Sequence, residues 1–137
     1  MFLNKKEDNN HESSFVKIAA LLIHTAKIDE NYSNEEEEII KKTLFSLGVD
    51  KNDLDTLITK AKKCEEDANQ ILDFTKEIKN LEDIDKIKII KSLWKIVYSN
   101  QDADIYETNL MRRLAGLLYI DSKVMGDIKE EIKKENL

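Results

Sequence analysis

The sequence predicts an all-α domain of about seven helices, on three observations. Apolar residues recur at helical spacing almost throughout the chain. There is no proline and there are only three glycines, Gly48, Gly116 and Gly126, too few turn-formers for a strand-rich fold. A chain of 137 residues that is 41% hydrophobic suits one domain with a core of its own.

Taken in order, residues 1–13 read as a disordered N-terminal arm and 14–134 as a single helical domain. Phe15, Ile18, Ala19, Leu22, Ile23 and Ala26 form the first apolar stripe, and Ile39, Ile40, Leu44 and Leu47 the second, which stops at the C-cap residue Gly48. A third helix starts near Lys51 after Asp50, with Leu54, Leu57, Ile58 and Ala61 inward. The polar "CEEDANQ" over 64–70 marks a break, and Ile71, Leu72, Phe74, Thr75 and Ile78 continue as a fourth helix. The fifth, 84–99, carries Ile87, Ile90, Leu93, Trp94 and Val97; the sixth, 105–118, carries Leu110, Met111, Leu114 and Leu117. The last begins near Ser122, with Val124, Met125 and Ile128 inward.

Charge excludes some functions. The formal net charge of −6 argues against a general nucleic-acid binder, and no basic run suggests a local patch. Basic residues are almost all lysine beside abundant Asn and Ile, a bias that lowers the weight of raw lysine counts. The only arginines are the adjacent Arg112 and Arg113. A lone Cys64 cannot form an internal disulfide, and neither a membrane span nor a signal-peptide apolar region is visible, so a cytoplasmic location is expected.

Shifting the chain by 71 residues lays 22–58 over 93–129 without a gap. Leu22 falls on Leu93, Ile40 on Met111, Leu47 on Leu118, Asp50 on Asp121, and Leu57 on Ile128. Heptads generate chance apolar matches, so the agreement of the polar turns counts for more. The expectation is a pseudo-two-fold repeat of helix–acidic loop–helix–turn–helix units, bridged by the fourth helix.

Each unit holds one acidic loop. "KIDENYSNEEEEII" (27–40) offers Asp29, Asn31, Ser33 and Glu36; its counterpart offers Asn100, Asp102, Asp104 and Glu107. Alternating oxygen donors in a short interhelical loop are what a hard cation such as Ca²⁺ requires. An EF-hand is excluded, because its glycine position holds Asn34 or Ile105 and its closing glutamate position holds Ile40 or Met111. Helix capping is the competing account. "SNEE" at 33–36 is a capping box and "DIYE" at 104–107 can act alike. Capping accounts for Ser33, Glu36, Asp104 and Glu107, but not for Asp29, Asn31, Asn100 and Asp102, which precede the cap.

The doubled pattern of apolar helix, small-Asp-Gly acidic loop, Glu, and Arg-Arg before an apolar helix end resembles the tellurite-resistance TerB-like family. "LWKIVYSNQDADIYETNLMRRLAGLLYID" (93–121) is the nearer copy and "LLIHTAKIDENYSNEEEEIIKKTLFSLGVD" (21–50) the looser one, and the resemblance spans about 15–133. It implies a seven-helix all-α domain, association with bacterial stress responses, and divalent-cation binding by the loop acids. A related domain in a membrane-anchored J-domain co-chaperone implies interaction modules. The acidic positions carried over are Asp29, Ser33 and Glu36, and Asn100, Asp104 and Glu107. This chain departs at Glu30 and Gln101, where the family has glycine, and at Ser33 and Asn100, where it has Asp. Each loop has lost a carboxylate, so Ca²⁺ affinity is expected in the ~10⁻⁴–10⁻³ M range or weaker.

The remaining residues carry bland expectations. One arginine of the 112–113 pair is expected to fork onto a carboxylate, and Trp94 to be core with Tyr98 packed beside it. His11, His24 and Cys64 have no zinc spacing, and no nucleophile–base pair or phosphate loop is present, so no enzyme is expected. No cofactor other than weakly held Ca²⁺ is expected. Two readings stand: a stress-associated binding module with weak cation sites, or a purely protein-interaction domain whose acidic loops only cap helices. Both expect an unidentified protein partner.

Overall fold

The computed structural model describes residues 2–29, 32–99 and 105–135, with side chains described for 12–28, 32–99 and 108–135. Seven α-helices follow one another: α1 (Phe2–Ala26), α2 (Asn34–Ser46), α3 (Leu54–Asp67), α4 (Leu72–Ile78), α5 (Asp83–Tyr98), α6 (Ile105–Leu117) and α7 (Ser122–Glu135). Short 3₁₀ turns at Lys27–Asp29 and Lys51–Asp53 follow α1 and precede α3, and no strand occurs among the described residues. The all-α expectation and the order of its helices hold.

Helix α1 begins at Phe2, where an arm was expected to residue 13. That stretch contains no proline or glycine to stop a helix, and by Glu12 the helix already pairs with Lys60 of α3.

Helices α1 and α5 form the centre. Ile18–Ile23 is a run without a polar residue, and a helix apolar on every side must be covered on every side. All six of its residues are buried. Helices α2, α3, α4 and α5 pack around α1, while α5 also carries α2 and α7. Trp94 is buried on α5 with Tyr98 stacked against it, ring centroids 5.9 Å apart, and its Nε1 meets Met125 Sδ of α7 at 3.3 Å. One lysine is buried there too: Lys86 directs its Nζ to the Leu118 carbonyl at 3.1 Å, at the C-terminal end of α6 where a cation complements the helix dipole.

The turns after α2 and α6 share one hydrogen-bond pattern in the 71-residue register. Gly48 N donates to Phe45 O at 3.1 Å and Val49 N to Leu44 O at 3.0 Å; Tyr119 N donates to Gly116 O at 3.4 Å and Ile120 N to Ala115 O at 2.9 Å. Both turns need a left-handed residue, Gly48 with φ 114° and Tyr119 with φ 57°. Asp50 and Asp121 then each accept from the amide two residues on, at 2.9 and 2.8 Å.

Candidate functional site

The first acidic loop is built from α3 upward. Lys62 and Glu65 lie three residues apart on one face of α3, and each holds one end of the loop. At the α1 end, Glu65 receives Lys27 Nζ at 2.7 Å and His24 Nδ1 lies 3.3 Å away. Burial opposes the charge on Glu65, but the hydrogen bonds from Lys27 and His24 outweigh it and hold the carboxyl below its ordinary range. At the α2 end, Lys62 lies 5.4 Å from the centroid of the Tyr32 ring and 3.1 Å from Glu37. Tyr32 itself donates to Glu37 at 3.3 Å. Burial, with the Glu37 charge beside it, pushes the phenol well above its usual pKa. Lys41 completes the cluster, 3.8 Å from Glu37 and 3.0 Å from Asp55 of α3.

Between these clamps, the capping box forms as the sequence predicts. Ser33 Oγ accepts from Glu36 N at 3.1 Å, and Ser33 N donates to Glu36 Oε1 at 2.9 Å. Glu36 is only 1% exposed, a burial a carboxylate tolerates because the cap and the helix N-terminus both favour its charge. Ser33 and Glu36 are therefore both engaged in ending the loop. Of the other predicted donors, the Asp29 side chain, Asn31, Asn100, Asp102, Asp104 and the Glu107 side chain lie outside the described residues. No group of three or more His, Cys, Asp or Glu side chains suited to a metal ion occurs among the described residues.

Arg112 and Arg113 are both exposed on α6 and meet no carboxylate among the described residues. His24 is part of the Glu65 clamp. The Lys62 contact with Tyr32 and Glu37 was not legible: Tyr32 and Glu37 are neighbours in sequence, but the lysine comes from a different helix. Cys64 lies nearby on α3, and burial raises its thiol pKa, the opposite of what a reactive thiolate requires.

No helix among the described residues is long and apolar enough to cross a membrane. No curated protein and no solved structure matches the chain. A family model described as Tellurite resistance protein TerB matches residues 15–130, from the first buried stripe of α1 into α7. With that match over most of its length and the seven-helix architecture, the chain belongs to the TerB family.

Proposed function

We propose that this TerB-family domain is a non-enzymatic, stress-associated binding module whose two acidic loops hold a divalent cation weakly. The observation that carries this reading is the division of labour in the first loop. The cap engages Ser33 and Glu36, and two bridges from α3 hold Lys27 before the loop and Glu37 after it. Capping leaves Asp29 and Asn31 without an assigned role, and Asn100 and Asp102 repeat them in the second loop. The ionisable groups around the loop serve as structural bridges, which supports binding over catalysis. The partly buried Cys64 thiol, its pKa raised by desolvation, offers no support for reduction of an oxyanion. The matching turns after α2 and α6 support the pseudo-two-fold repeat on which the pairing of the loops rests.

A second reading is favoured by the same capping box: the loops only end helices, and the domain binds protein. Titration with Ca²⁺ and Mg²⁺, followed by amide NMR shifts, separates the two. Saturable shifts in both loops, lost in Asp29→Ala and Asp104→Ala proteins, support the cation reading. No shifts at several millimolar ion leave the protein-binding reading alone.

A further inference from the structure

A basic groove of about 390 Å³ runs between α2 and α5. Lys42 of α2 and Lys88, Lys91 and Lys95 of α5 line it, with no acidic side chain among its lining residues, in a chain of net charge −6. The α5 lysines are spaced i, i+3 and i+7, which places them along one face of the helix. The floor is polar but fully partnered. The Thr43 hydroxyl lies 2.9 Å from Ile39 O and 2.8 Å from the buried Ser92 hydroxyl, so Thr43 can donate to the carbonyl while Ser92 donates to Thr43. Lys88 Nζ donates to Ser46 O at 3.0 Å, and Lys91 lies 3.5 Å from Glu131 of α7. Lys42 and Lys95 have no carboxylate partner among the described residues. The apolar side chains of Phe45, beside Ser46, and Ile84, one turn before Lys88, are 59% and 64% exposed.

The 71-residue register relates this face of α5 to a face of α1. Carried upstream, it lays Lys88 on Lys17, Lys91 on Ala20, Ser92 on Leu21 and Lys95 on His24, all on α1. Helix α4 packs on α1 and also meets α6. Helix α4 buries Phe74 and Ile78, and sends Glu77 to Lys17 at 3.3 Å and to Ser14 at 3.3 Å. The His24 ring lies 6.4 Å from Phe74. A short amphipathic helix with an acidic side chain thus packs on α1 at the place that, among the described residues, forms a groove on α5.

We propose that the α2–α5 groove docks a short, acidic, amphipathic helix of a partner protein. Its carboxylates meet Lys42, Lys88 and Lys95, and its apolar face meets Phe45 and Ile84. The exposed apolar pair is unexplained by a simple polyanion and fits the apolar face of an amphipathic helix. The inference rests on the binding-module reading and on the repeat register, but not on the cation loops.

The test uses the full chain and a fluorescein-labelled peptide of about 14 residues. The peptide has Leu at i, i+3, i+4 and i+7 with Glu on the flanking positions, and a scrambled peptide of equal composition serves as control. Anisotropy is expected to show saturable binding below about 1 mM that weakens with salt. Lys88→Glu with Lys95→Glu is expected to weaken it at least about tenfold, whereas the arginine pair at those positions and Lys63→Glu on α3 leave it within about twofold. Amide shifts should appear at Thr43, Ser46 and Ser92. Circular dichroism establishes that each variant is folded. Absence of saturation, equal binding of the scrambled peptide, or shifts confined to other surfaces overturns the proposal. So does tighter binding of an oligonucleotide or a phosphatidylserine vesicle than of the peptide. Cation-induced shifts report on the acidic loops and groove shifts on α2 and α5, so failure of either reading is seen separately.

Discussion

Ser33→Ala removes the acceptor of the Glu36 amide, now at 3.1 Å, yet leaves the residue 33 amide free to donate to Glu36 Oε1, now at 2.9 Å. Half of the capping box survives. Loss of an N-cap side chain costs about 0.5–2 kcal/mol. Ser33 is half-buried, so water can reach part of the freed amide, and the expected cost is about 1 kcal/mol. For a domain of this size that lowers Tm by about 3–5 °C. Ser33→Asp keeps a favourable cap, adds a charge at the positive end of α2, and is expected to stay within about 0.3 kcal/mol of the parent. The assay is thermal and urea unfolding followed at the helical circular-dichroism band, once in EDTA and once in 5 mM Ca²⁺ as an order-of-magnitude, near-saturating level for a weak site. A cap costs the same in both buffers. If Ser33→Ala costs nothing in EDTA and appears only with Ca²⁺, Ser33 is a ligand and the assignment of the cap as its main role is refuted.

Four further outcomes follow from the structure. Glu65 has its folded pKa lowered by Lys27 and His24, so its contribution is complete above the ordinary value of 4.5 and is lost as pH falls through the lowered one. The stability deficit of Glu65→Gln should therefore be full near neutral pH and shrink below pH 4.5, as urea midpoints across pH will show. In alkaline absorbance titration, Tyr32 should ionise after ordinary tyrosines, and Tyr32→Phe should reduce the late phase, leaving the part due to Tyr98, whose phenol pKa burial also raises; an unchanged titration would mean that Tyr32 is not buried against Glu37. Tyr119 is 72% exposed and left-handed, so Tyr119→Gly gives up little packing, relieves strain, and should raise stability by about 0.5 kcal/mol. Gly48→Ala meets no neighbour but must adopt φ 114°, and should cost about 1 kcal/mol or more in the same urea assay.

The helices were legible because each kind of signal in the chain agreed with the others. Gly48 ends α2 in the left-handed conformation, "CEEDANQ" holds the end of α3 at Asp67, and "SNEE" makes its box. Stripes alone understated the centre. Ala20, Leu21 and Thr25 fall off the apolar stripe read for the first helix, yet all are buried, because "IAALLI" presents no polar side that could face water. Lys86 was illegible for the opposite reason: a lysine is assigned to solvent unless a partner is known, and the Leu118 carbonyl lies 32 residues away. The loop clamps on α3 share that cause, since Lys62 and Glu65 acquire meaning only when α3 lies beside the loop. The lysine groove left a trace, i, i+3 and i+7 on α5, but discounting lysine by composition hid it, and its other wall comes from α2.

Under the proposed 71-residue repeat, the two units differ where the fourth helix lands. On the shared register, Lys17 and Lys88 hold the same place, but Lys17 has its carboxylate, Glu77, supplied by the chain itself. Ala20 and Leu21 are sealed under packed helices, whereas their counterparts Lys91 and Ser92 line an open groove. A chance accumulation of surface lysines gives no reason for a polar, hydroxyl-lined floor or for two large apolar side chains left exposed nearby. A docking face that receives from outside what α4 supplies from within gives a reason for both. It also assigns the halves different tasks: the first closes the fold and stiffens its acidic loop, and the second keeps the same helical face available to a partner.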